Sequence, residues 1–407
     1  MPDPIGARIL AIPGYGVYRH ECDEVRQTLS LWLRETTNTP YYCCRGCGIS
    51  SRAARGCTER RVRDLRWGPW QVWLVVEVQH LVCPRCGRRR ERLPFLAEQA
   101  ACTRRFETAE AQDCAHALVA RVATTWGLTA ETVRQMDKRA LQRWAATRPR
   151  KPLRYLGVDK LCLGKADKFL TVVSYLDTRE PLWAGQDQKG ETMDQVFAEA
   201  LPPRRRRAVQ AVCVDMWEPY TQSLRAQLPP ARIVYDKFHV LKHAITAVDE
   251  TRRAEFFRKG GRLRDLIRGK RWLLLARWHH LRPEWRQTLT ELFAVNRRLA
   301  TAYLLREQLE QLWTCTYEGT ARRFLSSWLR ALRWQRLPAF RKFAALLQRL
   351  LDGILAYCHA KVPSGVVEAI NANIRAVLRR GRGYRDHGYL VLKVQRYTAD
   401  RRQRKVA

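Results

Sequence analysis

The sequence predicts a multidomain α+β chain, and three observations carry that expectation. Two Cys-x-x-Cys pairs lie among segments that alternate apolar with polar residues. The apolar period then turns helical over residues 104–146. Past a basic, proline-containing link at 148–152, strand-like runs give way to roughly a hundred residues with Leu, Trp and Arg at helical spacing. A chain of 407 residues is long enough for several cores, about two to four at the usual domain size.

At the front, residues 16–36 and 60–82 alternate, as in Gln71-Val72-Trp73-Leu74-Val75-Val76-Glu77-Val78, which reads as short antiparallel strands. Cys44-Arg45-Gly46-Cys47 and Cys83-Pro84-Arg85-Cys86 follow these stretches, each ending on a glycine, Gly48 or Gly87. Such a turn lets two thiolates face one ion while backbone amides point at the sulfurs. Two turns complete the tetrahedral set of one structural Zn²⁺, so residues 1–103 are expected to form a zinc ribbon. The 35 intervening residues fit a ribbon with a hairpin inserted between its knuckles, with Cys43 and Cys57 as substitute ligands. Eight of the thirteen cysteines fall by residue 102, a distribution unlike a secreted disulfide framework and suited to reduced thiols and a metal.

Residues 104–147 then read as a helix-turn-helix. Ala123 supplies a small residue where two helices cross, Gly127 the turn, and Leu128, Val133 and Met136 the inner face. Thr129 is expected to cap the second helix, with Glu131 in its first turn. Its outward residues Glu131, Arg134, Gln135 and Lys138 are the candidates for contact with a DNA groove or phosphates.

Beyond the link, strands are expected at 155–159, 168–176, 209–214 and 231–235, with a helix at 191–200, in the order of a mixed α/β domain. Asp159 and Asp215 each end an apolar run, and Glu368 falls in the first turn of a helix after Pro363, with Asn371 one turn on. In so basic a chain an acid cluster calls for cations, and three oxygen donors suit two Mg²⁺ or Mn²⁺ ions. Asp236 is a further strand-end acid. His239 and His243 stand one helical turn apart, but Val240 occupies the place where a zinc hydrolase carries glutamate, which sets that chemistry aside.

The 75 Lys and Arg residues against 39 Asp and Glu give +36, a charge that calls for a polyanionic partner, and nucleic acid is the natural one. Membrane insertion is not expected, because stretches such as Trp70–Val78 fall far short of the ~20 apolar residues of a spanning helix. With no signal-peptide pattern at its start, the chain is expected in the cytoplasm, and its charge would associate it there with the nucleoid.

The runs YLGVDK, KFLTVVSYLD, AVCVDMWEPY, ARIVYDKFHVLKHAITAVD and SGVVEAINANIRAVLRRGRGYRD resemble the DDE transposases of the ISL-three insertion-sequence family. The resemblance covers nearly the whole chain, including the cysteine pairs and the helix-turn-helix. It implies an RNase-H-like catalytic domain at 153–250 and 360–396, interrupted by an all-helical insertion at 251–359; the closing run Arg401-Arg402-Gln403-Arg404-Lys405 reads by itself as a solvated basic tail, placed at 397–407. The family's catalytic acids fall on Asp159, Asp215 and Glu368, which would hold two Mg²⁺ or Mn²⁺ ions, with Asp236 and Asn371 in support. The implied reaction is cleavage that exposes a 3′-hydroxyl, then transfer of that strand to target DNA. Trp217 is a candidate to stack on an unpaired base, and Arg379, Arg380, Arg382 and Arg385 are candidates to clamp phosphates. Double-stranded DNA, as element ends and target, is the implied partner, gripped by a homodimer that brings two ends together. The rival expectation is a catalytically inactive, transposase-derived regulator that only binds DNA.

Overall fold

The computed structural model describes residues 11–36, 41–97, 100–149, 152–163, 169–187, 190–258, 262–362 and 365–406. Residues 150–151 of the basic link, as well as Pro363 and Ser364, lie outside the described residues. The chain divides into two compact units, Met1–Arg148 and Pro149–Ala407.

The first unit is built on strands β1 (Tyr15–Asp23), β2 (Thr28–Glu35), β3 (Tyr42–Cys43), β4 (Ser50–Ser51), β5 (Ala54–Arg63), β6 (Gln71–Cys83) and β7 (Gly87–Arg90). Both alternating stretches are extended, and β1–β2 and β5–β6 pair antiparallel as expected. The expectation of short antiparallel strands needs one correction: β2 and β6 are parallel neighbours, Leu31 opposite Leu74, and β6 runs for 13 residues. The chain leaves β2, makes the β3–β4 and β5 excursions, and re-enters beside β2 in the same direction, so the inner strands of two hairpins meet side by side. Their period-two faces bury Val17, Leu31, Leu33, Val62, Val72, Leu74 and Val76 in one core.

Three helices complete this unit: α1 (Arg104–His116), α2 (Val119–Trp126) and α3 (Ala130–Ala146). Gly127 has φ +59°, a left-handed conformation that ends α2, and Leu128 N–H donates to Ala123 at 2.9 Å. Thr129 caps α3 by accepting from Thr132 N–H, and Val133 and Met136 are buried as predicted. The ribbon and the helices share one unit. The Thr103 hydroxyl donates to buried Asp64 of the sheet at 2.6 Å while capping α1, and the Arg63 guanidinium donates to Gly127 O at 3.2 Å.

The second unit contains β8 (Tyr155–Cys162), β9 (Phe169–Tyr175), β10 (Glu180–Gln186), α4 (Gly190–Glu199), α5 (Pro203–Arg206), β11 (Ala211–Val214), α6 (Glu218–Gln227) and β12 (Arg232–Tyr235). The sheet order is β10-β9-β8-β11-β12, with the first three strands antiparallel and β8, β11 and β12 parallel. Strand β10 was not anticipated from the sequence. It is an edge strand, where Pro181 is tolerated because one side needs no ladder partner.

From β12 onward the described residues form helices and the links between them, with no strand. The helices are α7 (Lys237–Arg258), α8 (Arg262–Ile267), α9 (Arg271–Leu275), α10 (Pro283–Val295), α11 (Arg297–Leu309), α12 (Glu318–Arg333), α13 (Pro338–Arg349), α14 (Leu351–Leu355), α15 (Gly365–Gly381) and α16 (His387–Val406). The expected basic tail is corrected in part: α16 continues through residues 397–406, with Thr398 buried and the Arg402 guanidinium donating to Thr178 O. Thr398 and Arg402 are thus tied to the second unit, which residues of a tail in solvent would not be.

Strand alternation gives the sheet two buried faces. Val158, Val173, Val212 and Val214 join the core that continues through α7 into the helical region. Leu161, Val172, Ala211, Cys213 and Val234 join Val367, Ile370, Ile374, Leu390 and Val394 of α15 and α16. Residues two apart on a strand share a face, so Asp159, Asp215 and Asp236 continue the second face, the one that α15 covers.

Candidate active site and metal centre

The strand registers bring the acids together. Val158, Val214 and Tyr235 lie side by side across β8, β11 and β12, so the next residues, Asp159, Asp215 and Asp236, line up at one edge of the parallel half of the sheet. Asp215 and Asp236 each directly follow the last residue of a strand, as expected. Asp159 does not: β8 continues to Cys162 because β9 pairs with it as far as Phe169. It is β11 that stops at Val214, and Asp159 stands where β8 outruns it.

Each carboxylate is held by local bonds. Asp159 accepts from its neighbour Lys160 N–H at 2.8 Å and from the Asn371 amide at 2.6 Å. Asp215 accepts from Trp217 N–H at 3.1 Å, just ahead of α6, and Asp236 from Phe238 N–H at 2.8 Å, in the first turn of α7. Both of these acids are only 5% exposed. Burial raises Asp215 above the usual carboxylate value; Trp217 N–H, His239 and Lys160 oppose the rise, and Asp159 adds to it. Asp236 is likewise raised by burial, against Phe238 N–H and His239, with Asp159 and Glu368 adding to the rise.

Two cationic side chains that the sequence did not single out for this site face the acids. His239 Nε2 lies 3.5 Å from Asp159 Oδ1, and that bond raises the imidazole above its ordinary value despite burial. Lys160 Nζ lies 4.0 Å from Asp215 Oδ2 and 5.3 Å from the centre of the Trp217 ring. By spacing alone His239 pairs with His243, one helical turn on, and that spacing does not point to the acids. The signal in the sequence is its place three residues after the strand-end Asp236, in the first turn of the helix that follows. Trp217 is 39% exposed beside Asp215, so it is not a core tryptophan.

Helix α15 carries Glu368 in its first turn, exposed, with Val367 and Asn371 on the buried side. Val367 packs on Gly157, where an added Cβ would come within 2.8 Å of it, and Asn371 bonds Asp159 two residues further along β8. Four helical residues rise about 6 Å and two strand residues about 6.6 Å, so helix and strand run together over this stretch. Among the described residues, the three acids Asp159, Asp215 and Glu368 do not gather their oxygens within 4.8 Å; the one group that does is made of cysteines.

That group is Cys44, Cys47, Cys83 and Cys86, with Cys44 and Cys83 buried and Cys47 Sγ 3.4 Å from Cys83 Sγ. The first knuckle turns between β3 and β4, the second between β6 and β7, and Gly48 and Gly87 take φ of +76° and +67°. The long spacing is taken up by β4, β5 and β6. Four thiols so placed fit one zinc ion. Neither substitute joins them: Cys43 Sγ faces Gly48 O at 3.4 Å, and Cys57 is exposed on β5.

The candidate DNA contacts divide by surroundings. On α3, Glu131 accepts from Arg134 and Gln135, which holds its carboxyl down to about 2, and Lys138 is half-buried. Around the end of α15, Arg379, Arg382 and Arg385 are exposed, and Arg380 is half-buried with its guanidinium 5.8 Å from the Tyr397 ring centre.

Residues 156–394 match a family model described as Transposase. The chain is 35% identical over 387 residues to the transposase for insertion sequence element IS1001 of Bordetella parapertussis, covering 94% of this chain and 95% of the relative. It is 26% identical over 378 residues to the transposase for insertion sequence element IS1557 of Mycobacterium tuberculosis, covering 85% and 84%. With the sheet, the aligned acids and the cysteine centre in place, the chain belongs to the ISL-three family of insertion-sequence transposases.

Proposed function

We propose that this chain binds the ends of its insertion sequence through the Met1–Arg148 unit and catalyses metal-dependent DNA cleavage and strand transfer at Asp159, Asp215 and Glu368. The observation that carries this reading is the alignment of Asp159, Asp215 and Asp236 at one sheet edge, under the helix that brings Glu368. The strand order, three antiparallel strands followed by two parallel ones, supports an RNase-H-like catalytic domain. The all-helical run α8–α14 supports an insertion between the second acid and the last.

The donor set suits hard cations. Asp159, Asp215 and Glu368 offer carboxylate oxygens, and Asn371 Oδ1 is buried with no hydrogen-bond partner among the described residues. Two Mg²⁺ or Mn²⁺ ions bound there would activate the attacking oxygen and stabilise the leaving one. The chain's own groups do the positioning. Trp217 and Phe238 amides fix the Asp215 and Asp236 carboxylates, Asn371 orients Asp159, and Lys160 and His239 offset charge at the acids. Trp217 presents a ring beside Asp215 for an unpaired base, and Arg379, Arg380, Arg382 and Arg385 extend a basic surface from α15. Two ends brought together call for a homodimer on DNA.

The test is incubation of the purified chain with Mg²⁺ and a duplex carrying the inverted repeats that flank its gene. Cleavage at the 3′ end and joining to target are expected, and Asp215→Ala should lose both while binding the ends as before. Binding without cleavage by the unaltered chain would instead support the regulator reading.

A further inference from the structure

Two neighbouring clefts in the first unit have a charge that neither the zinc centre nor the helix-turn-helix accounts for. The first, about 650 Å³, is lined by Arg45, Arg55, Arg88, Arg89, Arg90 and His80, with no carboxylate on its wall. The second, about 690 Å³, shares Arg45 and Arg90 with it and adds Arg60, Arg92 and Arg104, the first residue of α1. Two acids line this second cleft. Glu91 is buried and accepts from Gln79 N–H at 2.7 Å, which leaves Glu59 against five arginines.

The crowding has a cost that shows at Arg60. Its guanidinium is held below the ordinary arginine value by burial first, then by Arg45 and Arg90. Like charges drawn together in this way are stable when an anion lies among them.

The cysteine knuckles set the positions of these arginines. Arg45 lies inside the first Cys-x-x-Cys turn, and Arg88–Arg90 leave the second on β7. Arg45 N–H donates to Arg90 O at 3.1 Å, and Arg92 N–H to Cys43 O at 2.7 Å. Gly46 is so close to the second knuckle that a Cβ there would meet Cys86 Sγ at 3.2 Å and Arg89 Nε at 3.5 Å. The arginines are thus fixed by strand pairing and by the knuckle turns, and Arg55, Arg88, Arg89 and Arg90 are exposed.

We infer that the two clefts form one groove that tracks the phosphate backbone of duplex DNA from the cysteine knuckles to the start of α1, beside the segment taken by the helix-turn-helix. Arginine forks suit phosphate oxygens, and backbone contacts of this kind fix register without reading sequence. The inference deepens the DNA-binding reading above and rests on it for the identity of the partner.

The test compares the full chain with R55Q/R88Q/R90Q and with a control, R19Q/R26Q/R34Q, that removes equal charge from exposed arginines outside the clefts. Binding to an end repeat and to an unrelated duplex is titrated against salt, and the end complex is footprinted with hydroxyl radicals. Loss of three phosphate contacts lowers the slope of log K against log salt by roughly 2–3. The cleft variant should show that drop on both duplexes and lose one protected flank of the footprint, keeping the rest. R55K/R88K/R90K should restore the slope, and zinc content and melting profile report that the unit is folded. A cleft variant with a full footprint and a slope no lower than the control's overturns the groove. A slope effect seen equally on a chain that does not prefer the repeat leaves the groove standing and counts against end recognition alone.

Discussion

Asn371 shows what a single side chain does at this site and why it was only partly legible. Its place one helical turn after Glu368 could be read from spacing; its partner could not, because nothing local says that β8 lies under α15. The structure sets its amide 2.6 Å from Asp159 Oδ2, in a site where the residue is 4% exposed. Gly157 makes this approach possible, since any larger residue would push Val367 and the helix outward. His239 and Lys160 were missed for a related reason: each acts on an acid brought near by folding, and a strand or helix period carries no mark of that. A group that orients a metal-ligating carboxylate is worth about 10–100-fold in metal affinity or activity when removed. Asn371→Ala is therefore expected to lower the cleavage rate by about that factor and to move the Mg²⁺ titration midpoint upward, with DNA affinity unchanged. An unaltered Mg²⁺ titration would show that the bond positions nothing.

At the scale of elements, strands with two buried faces and helices with Gly or Thr signals were legible, and β10 and the β2–β6 pairing were not. Pro181 hid the edge strand, and parallel pairing depends on where two distant hairpins meet. Helix α7 illustrates a tie that periodicity also leaves out. Asp249 on α7 is 6% exposed and pairs with Arg252 at 2.8 Å, Arg253 at 3.1 Å and, across to α9, Arg271 at 3.3 Å. Burial alone would raise this carboxyl, but the three arginines outweigh it and hold it below the ordinary value of 3.8. A depressed acid adds stability above its unfolded value and loses it as pH falls through the folded one. Breaking a buried pair costs about 3–5 kcal/mol, and the solvent open to Arg253 and Arg271 places Asp249→Asn near the lower end. That corresponds to a fall in melting temperature of about 6–12 °C for a unit of this size. In acid titration, the unaltered chain should lose this increment below about pH 3.8, and the variant, lacking it, should not. Melting curves that differ by the same amount at pH 3 and pH 7 would assign the loss to packing instead.

For the whole molecule, composition already separated a cysteine-rich, sheet-forming front from an α/β and helical remainder, and the structure divides at the basic link, between Arg148 and Pro149. What composition could not weigh is how unequally the two units are supported. In the second, a core runs from the sheet through α7 and deep into the helical region, and a further core lies under α15 and α16. In the first, the sheet core is small, helices α1–α3 have their own few buried residues, and among the described residues the cysteines pack with Leu81, Tyr42 and Ala54. A small core gains most from a metal, and a zinc ion held by these four thiols would add an apparent ~10–16 kcal/mol at neutral pH. The knuckles also close both ends of the chain excursion that places β5 and β6, so freeing the thiols removes a constraint on most of that sheet. A strong zinc chelator is therefore expected to abolish or sharply lower the melting transition of the Met1–Arg148 unit and to open it to protease. The Pro149–Ala407 unit should keep its transition, because no cysteine of the centre lies in it. Metal analysis of the untreated chain should give one zinc per chain, and Cys44→Ser should reproduce the effect of the chelator. A transition of the second unit that shifts in parallel would mean that its folding depends on the first, and a chain without zinc that melts unchanged would remove the centre from the account of stability.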